Sequence, residues 1–331
     1  MPRCGSQIVL CDVPVRFDTY EGCTHACRYC FVKRKTDIRD IKLGESPEQL
    51  IGFIHGKRTN ETKWCDWKIP IHWGGMSDPF QPCEKIHKRS LECLRVFAET
   101  GYPFMVSTKS ILPTQKEYLD LFKRCNCVFQ VSMVCSKYDA YEKGAPTFEE
   151  RKKMLAIMAP NVKRVVVRIQ PYLLSVEKDV IAQLKDYAEM GVYGITIEGM
   201  KYKTLQKDTE KVYGDYGFKL DILRRSFERI KNEAHRVGLV FLSGENRLRS
   251  MGDSLTCCGC EGLEGFRVNT YNLNSMNCGR RPEPTSGMSE SGTAVVFKTL
   301  FQDSGATKAF EKACMKDVMD RYRNDHKDLV R

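Results

Sequence analysis

The chain has 331 residues, of which 42% are hydrophobic and 29% are charged. This composition supports a sizeable buried core and excludes wholesale disorder, and the length suits one large domain with additions or two modest domains. The 53 basic residues exceed the 42 acidic residues, and the net charge of +11 favours anionic partners, although a merely basic soluble protein has the same property. No apolar run approaches the roughly 20 residues that span a bilayer, and no secretory signal is present, so we expect a cytoplasmic protein with no membrane partner.

The cysteine content is high, with 16 cysteines in the chain. Because we expect a reducing compartment, we do not expect these thiols to form disulfides. Some of them should therefore bind a metal or take part in chemistry.

Strand-like stretches recur along the first 242 residues and alternate with helix-like stretches. The predicted strands cover 8–17, 67–74, 104–107, 127–134, 162–169, 194–197 and 238–242. This alternation predicts an α/β fold with a parallel sheet, and both a full or partial barrel and an open doubly wound sheet are compatible with it. In either architecture, ligands bind beyond the carboxyl ends of the strands.

Capping patterns and helical spacing of apolar residues predict the helices. Three capping boxes are present: Ser46 with Gln49, Thr114 with Glu117, and Thr147 with Glu150. Apolar residues at helical spacing predict further helices over 84–100, from Val176 to Tyr187 and from Tyr216 to Ala234.

The sequence changes character after Leu242. We assign residues 1–242 to the α/β unit and residues 243–281 to a cysteine-rich C-terminal segment that lacks clear periodicity. Residues 282–331 are predicted to be a flexible linker followed by a charged terminal helix.

The strongest chemical signal is a triplet of cysteines, Cys23, Cys27 and Cys30, directly after the first predicted strand. Thiols at positions i, i+4 and i+7 of a tight loop can hold three irons of a [4Fe–4S] cube and leave the fourth iron open to a substrate or cofactor. A structural zinc site is the alternative, with His25 as the only additional ligand nearby.

The triplet and its surroundings resemble the radical S-adenosylmethionine (SAM) superfamily, over about residues 7 to 280. Four segments are similar to the spore photoproduct lyase-like branch: CTHACRYCF at 23–31, GGMSDPFQP at 74–82, GAPTFEER at 144–151 and RIQP at 168–171. The resemblance implies a partial (β/α)6 barrel of the radical SAM type with a cysteine-containing C-terminal extension.

The resemblance also implies the chemistry. Cys23, Cys27 and Cys30 would bind the [4Fe–4S] cluster, and SAM would bind the open iron. An electron from the cluster, supplied by a reductant of the flavodoxin or ferredoxin type, would cleave SAM to a 5′-deoxyadenosyl radical that abstracts hydrogen from the substrate. The open iron predicts sensitivity to oxygen.

Matching motifs imply which residues contact the cofactor. Tyr29 would pack near the adenine, and Gly74 and Gly75 would meet the methionine amino group. The family often has Glu where this chain has Met76, so either backbone carbonyls make that contact or Asp78 supplies the polar group.

Residues that follow later strands complete the predicted cofactor site. Ser107 and Ser132 would suit the ribose. Arg151 would clamp the cofactor carboxylate, with Lys109 as an alternative, whereas the competing interpretation of Arg151 is an ordinary arginine on a helix surface. Three further residues at strand ends are predicted to line the site: Arg168, Gln170 and Gly199.

A second group of cysteines lies in the C-terminal segment and comprises Cys257, Cys258, Cys260 and Cys278. Three or four thiolates could hold a second iron–sulfur cluster or zinc, and the competing interpretation is a set of buried or free thiols. A cysteine could instead donate hydrogen to a substrate radical, and Cys135, near the end of the fourth strand, is a candidate for that role.

Basic residues that follow strands predict positive charge around the mouth of the site: Lys33, Arg34, Lys35, Lys201, Lys203, Arg247 and Arg249. A further basic pair is Arg280 and Arg281. A solvated basic surface is the competing interpretation, whereas Tyr202 or Tyr271 could stack on an extruded base. The leading hypothesis is a radical enzyme that repairs or modifies a base or nucleotide of DNA or RNA. The alternatives are a radical enzyme that modifies a peptide or protein with an auxiliary cluster, and a non-catalytic zinc-stabilised binding module.

Overall fold

Eleven strands and seven α-helices form in the computed structural model, which describes residues 1–2, 11–34, 40–59, 62, 69–212 and 214–268. The strands are β1 (Val15–Phe17), β2 (Tyr20–Glu21), β3 (Lys42–Leu43), β4 (Ile71–Trp73), β5 (Phe104–Thr108), β6 (Cys127–Ser132), β7 (Arg164–Tyr172), β8 (Gly194–Gly199), β9 (Thr209–Val212), β10 (Asp215–Phe218) and β11 (Val240–Ser243). The helices are α1 (Pro47–Ile54), α2 (Glu84–His87), α3 (Arg89–Thr100), α4 (Lys116–Phe122), α5 (Phe148–Met158), α6 (Glu177–Glu189) and α7 (Leu220–Arg236).

Seven strands form one parallel sheet in the order β1-β4-β5-β6-β7-β8-β11. The strands lie in the sheet in their chain order, whereas a doubly wound sheet reverses its order at a switch point. The sheet therefore consists of six strand–helix units and a final strand, which confirms the predicted partial (β/α)6 barrel. β1 and β11 form the two edges and do not pair with each other in the described part of the chain.

The seven predicted strands all occur in this sheet, with different bounds. β1 covers only the end of the predicted stretch 8–17, of which residues 8–10 lie outside the described residues, as do residues 67 and 68 of the stretch before β4. β7 is longer than predicted and ends at Tyr172.

Two of the three predicted capping boxes are confirmed. Ser46 caps α1 with Gln49 as its reciprocal partner, and Thr147 caps α5 with Glu150. The box at Thr114 is wrong, because its hydroxyl donates to the carbonyl of Ile111 and α4 begins only at Lys116.

The helix predicted over 84–100 is divided into α2 and α3 at Lys88, which has a left-handed backbone with φ of 53°. The carboxylate of Glu84 compensates for this break by accepting the amides of Ser90 (2.9 Å) and Leu91 (2.8 Å) at the start of α3. Buried amides at a helix start need such acceptors, so Glu84 serves as the cap of α3.

Two hairpins were not predicted: β2 pairs with β3, and β9 pairs with β10, both antiparallel. The second hairpin lies between β8 and α7. Tyr216, which was predicted to begin the last helix, instead pairs within β10, and α7 begins at Leu220.

The two faces of the main sheet bury different partners because side chains alternate along a strand. On the outer face, Phe104 stacks on Phe97 of α3 with ring centroids 4.1 Å apart. The inner face carries a smaller apolar cluster, composed of Val13, Met105, Val128, Val166, Leu242, Cys258, Cys260 and Phe266. Part of the predicted C-terminal segment thus lies against the inner face, whereas residues 269–331 lie outside the described residues.

Among the residues that the structure describes, no helix combines the length and the apolar character needed to cross a bilayer.

Candidate cofactor site

The cysteine triplet lies on the loop that follows β1 and β2, at the carboxyl edge of the main sheet. Two tight turns shape this loop, because the amide of Ala26 donates to the carbonyl of Cys23 (3.3 Å) and the amide of Cys30 donates to the carbonyl of Cys27 (3.1 Å). Cys27 is buried, whereas Cys23 and Cys30 are partly exposed. The three predicted ligands therefore share one short, turned segment.

The loop after β4 holds the cysteine loop through Gln81, which is fully buried. Its Nε2 donates to the carbonyl of Gly22 (3.1 Å), and its Oε1 accepts from the amide of Thr24 (2.9 Å). These hydrogen bonds bracket Cys23, so a single side chain fixes the backbone on both sides of that cysteine.

Asp78 makes a second connection between these loops. Its Oδ2 lies 3.1 Å from Nε2 of His25, and Nδ1 of His25 lies 2.9 Å from the carbonyl oxygen of Gly144. At the end of β5, the hydroxyl of Thr108 donates to Oδ1 of Asp78 (2.8 Å) and the amide of Lys109 donates to Oδ2 (2.7 Å). Both carboxylate oxygens are engaged within the protein, so this geometry favours a positioning role for Asp78 over the predicted contact with the cofactor.

Burial and the closeness of the two side chains shift the pKa values of Asp78 and His25. Burial opposes ionisation of Asp78, but His25 holds the pKa of that carboxyl below its ordinary value. Burial likewise opposes the charged form of His25, yet Asp78 holds the pKa of the imidazole above its ordinary value. Both shifts favour the charged forms, and the contacts of both ring nitrogens argue against His25 as a zinc ligand.

Glu142 is a buried carboxylate beneath the cysteine loop. It accepts the hydroxyl of Tyr29, its Oε2 lies 2.5 Å from Nη2 of Arg151, and its Oε1 lies 3.9 Å from Nζ of Lys109. Burial raises the pKa of Glu142 above its ordinary value, although Arg151 acts in the opposite direction. Tyr29 is thereby anchored next to Cys30, with the ammonium of Lys109 5.8 Å from the centre of its ring.

Arg151 is not a helix-surface arginine, because its side chain is completely buried. Its Nη1 donates to the carbonyl of Ser132 (2.7 Å) and its Nε donates to the carbonyl of Thr147 (3.3 Å), in addition to the pair with Glu142. The guanidinium is therefore enclosed by protein partners. This arrangement favours a structural role for Arg151 over the predicted clamp.

The two glycines after β4, Gly74 and Gly75, differ in whether a side chain could be accommodated at their positions. Gly74 has φ of +83°, and an added Cβ would lie 2.7 Å from the carbonyl oxygen of Ser107 and 2.9 Å from Cδ of Pro79. At Gly75 the nearest atoms to an added Cβ belong to the side chain of Arg16, at 3.8 Å. Gly74 is thus needed for the turn, while Gly75 presents backbone that other groups can approach.

A row of polar side chains crosses the inner face of the sheet at the level of the predicted site. The hydroxyl of Ser107 donates to Oε1 of Gln130 (2.9 Å), which also accepts from Nη1 of Arg168 (3.2 Å). Nε of Arg168 donates to Oε1 of Gln170 (2.6 Å), and Nε2 of Gln170 donates to Glu198 (2.6 Å). The structure therefore joins three predicted residues, Ser107, Arg168 and Gln170, in one hydrogen-bonded row.

Two further predicted residues, Ser132 and Gly199, are the last residues of β6 and β8. Ser132 pairs with Arg168 in the register of β6 and β7. At Gly199, the last residue of β8, an added Cβ would lie 3.3 Å from Cδ2 of Leu223 and 3.6 Å from Oε2 of Glu245. Close packing therefore accounts for this glycine without a ligand.

The donor set of the triplet fits an iron–sulfur cluster better than a single zinc ion. A single zinc ion usually takes four ligands, and His25, the additional candidate near the three cysteines, is engaged by Asp78 and Gly144. A [4Fe–4S] cube binds each thiolate at a different iron and leaves the fourth iron open, so three cysteines suffice. Burial raises the pKa of the Cys27 thiol, but Lys109 and Arg151 oppose that rise and so favour a negatively charged centre.

Three of the remaining cysteine candidates, Cys135, Cys258 and Cys260, lie apart from the cysteine loop in the described part of the chain. Cys135 belongs to the outer core with Tyr187 of α6, so its thiol faces the helices and not the inner face. Cys258 and Cys260 lie on the inner face, with their sulfur atoms 3.4 Å apart. Cys278 lies outside the described residues.

Several of the predicted basic residues are neutralised within the protein. Nζ of Lys201 lies 2.5 Å from Glu245, Arg247 pairs with both Glu245 (3.0 Å) and Glu210 (2.7 Å), and Arg249 is buried. Lys203 is exposed. The side chains at 33 and 34 and residues 35, 271, 280 and 281 lie outside the described part of the chain.

Four residues of this site were not predicted: Gln81, Glu142, Gln130 and Glu198. Gln130 and Glu198 carried a usable signal, because each is a long polar side chain within a mostly apolar strand. Gln81 lies in the segment GGMSDPFQP, but its spacing alone does not reveal its contact with the cysteine loop.

No protein-family model matches the chain. Its curated relatives include uncharacterized proteins of Mycobacterium bovis and Mycobacterium tuberculosis, each 24% identical over 204 residues, or 57% of this chain. The matched region is 59% of each relative, so the chain spans less than two thirds of the length of these relatives.

Solved structures with a similar fold include several of spore photoproduct lyase. A point mutant of that enzyme has a TM-score of 0.55 at 15% identity, over 69% of this chain and 76% of the other. Its complex with a dinucleoside spore photoproduct has a TM-score of 0.54 at 14% identity and the same coverage. A double mutant with bound AdoMet and the same photoproduct has a TM-score of 0.52 at 14% identity, again with that coverage. The chain therefore has the fold of spore photoproduct lyase, a radical SAM enzyme, which confirms the resemblance at the level of the fold.

Proposed function

We propose that this protein is a radical SAM enzyme with a [4Fe–4S] cluster on Cys23, Cys27 and Cys30. The observation that carries the proposal is the fixed cysteine loop, which Gln81 and Asp78 hold beside the glycine motif. When bound, the cluster and SAM would supply a 5′-deoxyadenosyl radical that abstracts hydrogen from a substrate.

The protein's own residues position these groups and exclude side reactions. Gln81 and His25 fix the backbone of the cysteine loop, and Glu142 anchors Tyr29 next to the last ligand. The exposed backbone at Gly75 is the proposed contact for the methionine amino group. Because Arg151 is enclosed, Arg168 is the better candidate to meet an anionic group on the inner face. Among the described residues, its guanidinium donates only to the neutral amide oxygens of Gln170 and Gln130.

The proposed substrate is a base or nucleotide of DNA or RNA. The net charge of +11 supports this class, and one of the structures with a similar fold is a complex with a dinucleoside photoproduct. The pairing of Lys201 and Arg247 with carboxylates weakens the argument from charge. We further propose a cytoplasmic location and a reductant of the flavodoxin or ferredoxin type.

Modification of a peptide or protein is the second candidate, and the cysteines on the inner face favour it because they could hold an auxiliary metal centre.

The two candidate functions differ in how substrate binding should depend on salt concentration. Binding to DNA or RNA should weaken steeply between about 50 and 200 mM salt, because each phosphate contact releases counterions. Absence of any salt-sensitive binding to single- or double-stranded nucleic acid would contradict the first candidate.

The class of enzyme is tested by anaerobic reconstitution with iron and sulfide, followed by addition of dithionite and SAM. We expect about four irons per chain from this one cluster and production of 5′-deoxyadenosine. Cys27→Ala should abolish this product, whereas Cys125→Ala, a matched change at a buried cysteine away from the loop, should not. Bound zinc with no deoxyadenosine would overturn the proposal in favour of a binding module.

A further inference from the structure

Four cysteines outside the cofactor site gather at the inner face of the sheet: Cys11, Cys257, Cys258 and Cys260, here called the inner thiol group. Cys258 and Cys260 are buried in the inner apolar cluster, where their sulfur atoms lie 3.4 Å apart. Cys11 packs against the same cluster, although it comes from the opposite end of the described chain. Cys257 is partly exposed, precedes Cys258 in the chain and lies near Cys11.

A buried guanidinium faces this group. Arg249 is 6% exposed and lies beside Cys257 and Asp12. Its Nη1 donates to the carbonyl of Ser243 (2.7 Å) and its Nη2 donates to Oδ1 of Asn246 (2.9 Å), but its Nε is buried and has no hydrogen-bond partner among the described residues. The guanidinium thus lies against the Cys257 sulfur and the Asp12 carboxylate, and its positive charge favours a negatively charged sulfur centre at this place.

The spacing of Cys258 and Cys260 suits a single ion. Two thiolates that each lie about 2.3 Å from one tetrahedral zinc ion are roughly 3.8 Å apart, close to the observed separation, whereas thiolates on different irons of a cube are farther apart. Gly259 between them has φ of +76°, and an added Cβ would lie 2.8 Å from Cγ2 of Val166. Packing against the sheet therefore holds the two thiols in this arrangement.

In the structure, the sulfur atoms of Cys11 and Cys257 are not positioned to bind the same ion as those of Cys258 and Cys260. No three Cys, His, Asp or Glu side chains converge as ligands anywhere in the part of the chain that the structure describes. A thiol sulfur moves by about 3 Å when χ1 changes from one staggered rotamer to another. An adjustment of that size at Cys11 and Cys257 is what the binding of an ion would require.

We propose that the inner thiol group binds one metal ion of the zinc class, with Cys258 and Cys260 as the preformed pair and Cys11 and Cys257 as the completing ligands. Four thiolates around a divalent cation carry a net charge of about −2, and the guanidinium of Arg249 offsets part of it. The ion would join the chain before β1 to the segment after β11. It would thus connect the two edges of the open sheet.

The test uses the full chain with Cys23, Cys27 and Cys30 replaced by alanine, so that its result does not depend on the proposed cluster. After purification without added metal, mass spectrometry of the digested protein should find about one zinc per chain. Adding Cys258→Ser and Cys260→Ser should lower the zinc content about fivefold or more, and adding Cys11→Ser should lower it about twofold or more. Cys125→Ser, a buried cysteine outside the group, is the matched control and should leave zinc unchanged.

Three outcomes would overturn the proposal: no zinc in the starting variant, zinc that persists without Cys258 and Cys260, or iron with sulfide in place of zinc. Alkylation of the unmodified protein gives a second test that does not depend on the folding of variants. The thiols at 257, 258 and 260 should react slowly with iodoacetamide until a strong chelator is added, while the partly exposed Cys83 reacts equally in both conditions. Equal labelling of the group with and without chelator would also contradict the proposal.

Discussion

Nε2 of His25 lies 3.1 Å from Oδ2 of Asp78, so a residue inside the cysteine triplet is tied to the loop that carries the glycine motif. Asp78 also accepts the amide of Lys109 (2.7 Å), which extends the connection to the end of β5. The two loops proposed to hold the cluster and SAM therefore form one connected unit. A change that displaces one loop should displace the other.

Gln81→Leu should loosen the cysteine loop, because it leaves the amide of Thr24 and the carbonyl of Gly22 without their buried partner. An unsatisfied buried polar group costs about 1–3 kcal/mol. We expect iron content after reconstitution to fall severalfold and alkylation of Cys23 in the iron-free protein to become faster. The matched control is Gln115→Leu, a change at an exposed glutamine that should alter neither the iron content nor the labelling rate of Cys23. Unchanged labelling of Cys23 in Gln81→Leu would show that the hydrogen bonds of Gln81 are not needed to hold the cysteine loop.

Gly74→Ala and Gly75→Ala should have different effects. At Gly74 the left-handed backbone costs a side chain about 1–2 kcal/mol, and contact with the carbonyl of Ser107 adds to that cost. We therefore expect Gly74→Ala to destabilise the protein in urea unfolding. Gly75→Ala should leave stability nearly unchanged but weaken SAM binding measured by calorimetry, and unweakened binding would argue against Gly75 as a cofactor contact.

Arg151→Met should destabilise the fold by about 3–5 kcal/mol, because it leaves Glu142 as a buried carboxylate without its cation. The double variant with Glu142→Gln should recover much of that loss in a double-mutant cycle of urea unfolding. If Arg151→Met instead kept native stability and lost only SAM affinity, the side chain would act as the predicted clamp after all.

Asp18 should make stability depend on pH near neutrality. Its Oδ1 accepts the amides of Met76 (3.0 Å) and Ser77 (3.3 Å) beside the glycine motif. Burial raises the pKa of Asp18 from 3.8 to about 7, and Glu45 contributes in the same direction. A carboxyl whose pKa is higher in the folded state than in the unfolded state stabilises the fold when protonated, so its contribution is lost as pH rises toward and through about 7.

We therefore expect the free energy of unfolding to fall by about 2 kcal/mol between pH 5 and pH 8 because of Asp18. Asp18→Asn keeps the acceptor for both amides and removes the titration, so the variant should lose that part of the pH dependence. Parallel unfolding curves for the two proteins at pH 5, 6.5 and 8 measure the difference. Equal pH dependence would place the pKa of this carboxyl near its ordinary value.

The main sheet was predictable because its strands are apolar runs bounded by turns and helix caps. The hairpin of β9 and β10 was not, since its strands TEKV and DYGF lack a clear alternation. Tyr216 also fits the helical spacing of Leu220 and Leu223, which extended the predicted helix into the hairpin. The break at Lys88 depends on the carboxylate of Glu84, a tertiary arrangement that spacing alone does not reveal.

At the candidate site, spacing identified the cysteine triplet because its three residues are close in sequence. The residues that hold the triplet come from elsewhere, as with Gln81 and Asp78 after β4 and Glu142 after β6. Arg151 occupies the first turn of a well-capped helix, where an exposed side chain is the usual expectation. Its burial results from Glu142 and the carbonyl of Ser132, both contributed by the chain before that helix.

The order of strands in the sheet has a consequence for synthesis on the ribosome. Because β1, β4, β5, β6, β7, β8 and β11 add to one growing edge in the order in which they are made, each unit can pack on the preceding one as it emerges. The inner face stays uncovered until the segment around Cys258 and Phe266 arrives and docks on Val128 and Val166. A nascent chain that stalls before that segment would expose the apolar inner cluster to aggregation, so this docking step completes the part of the fold that the structure describes.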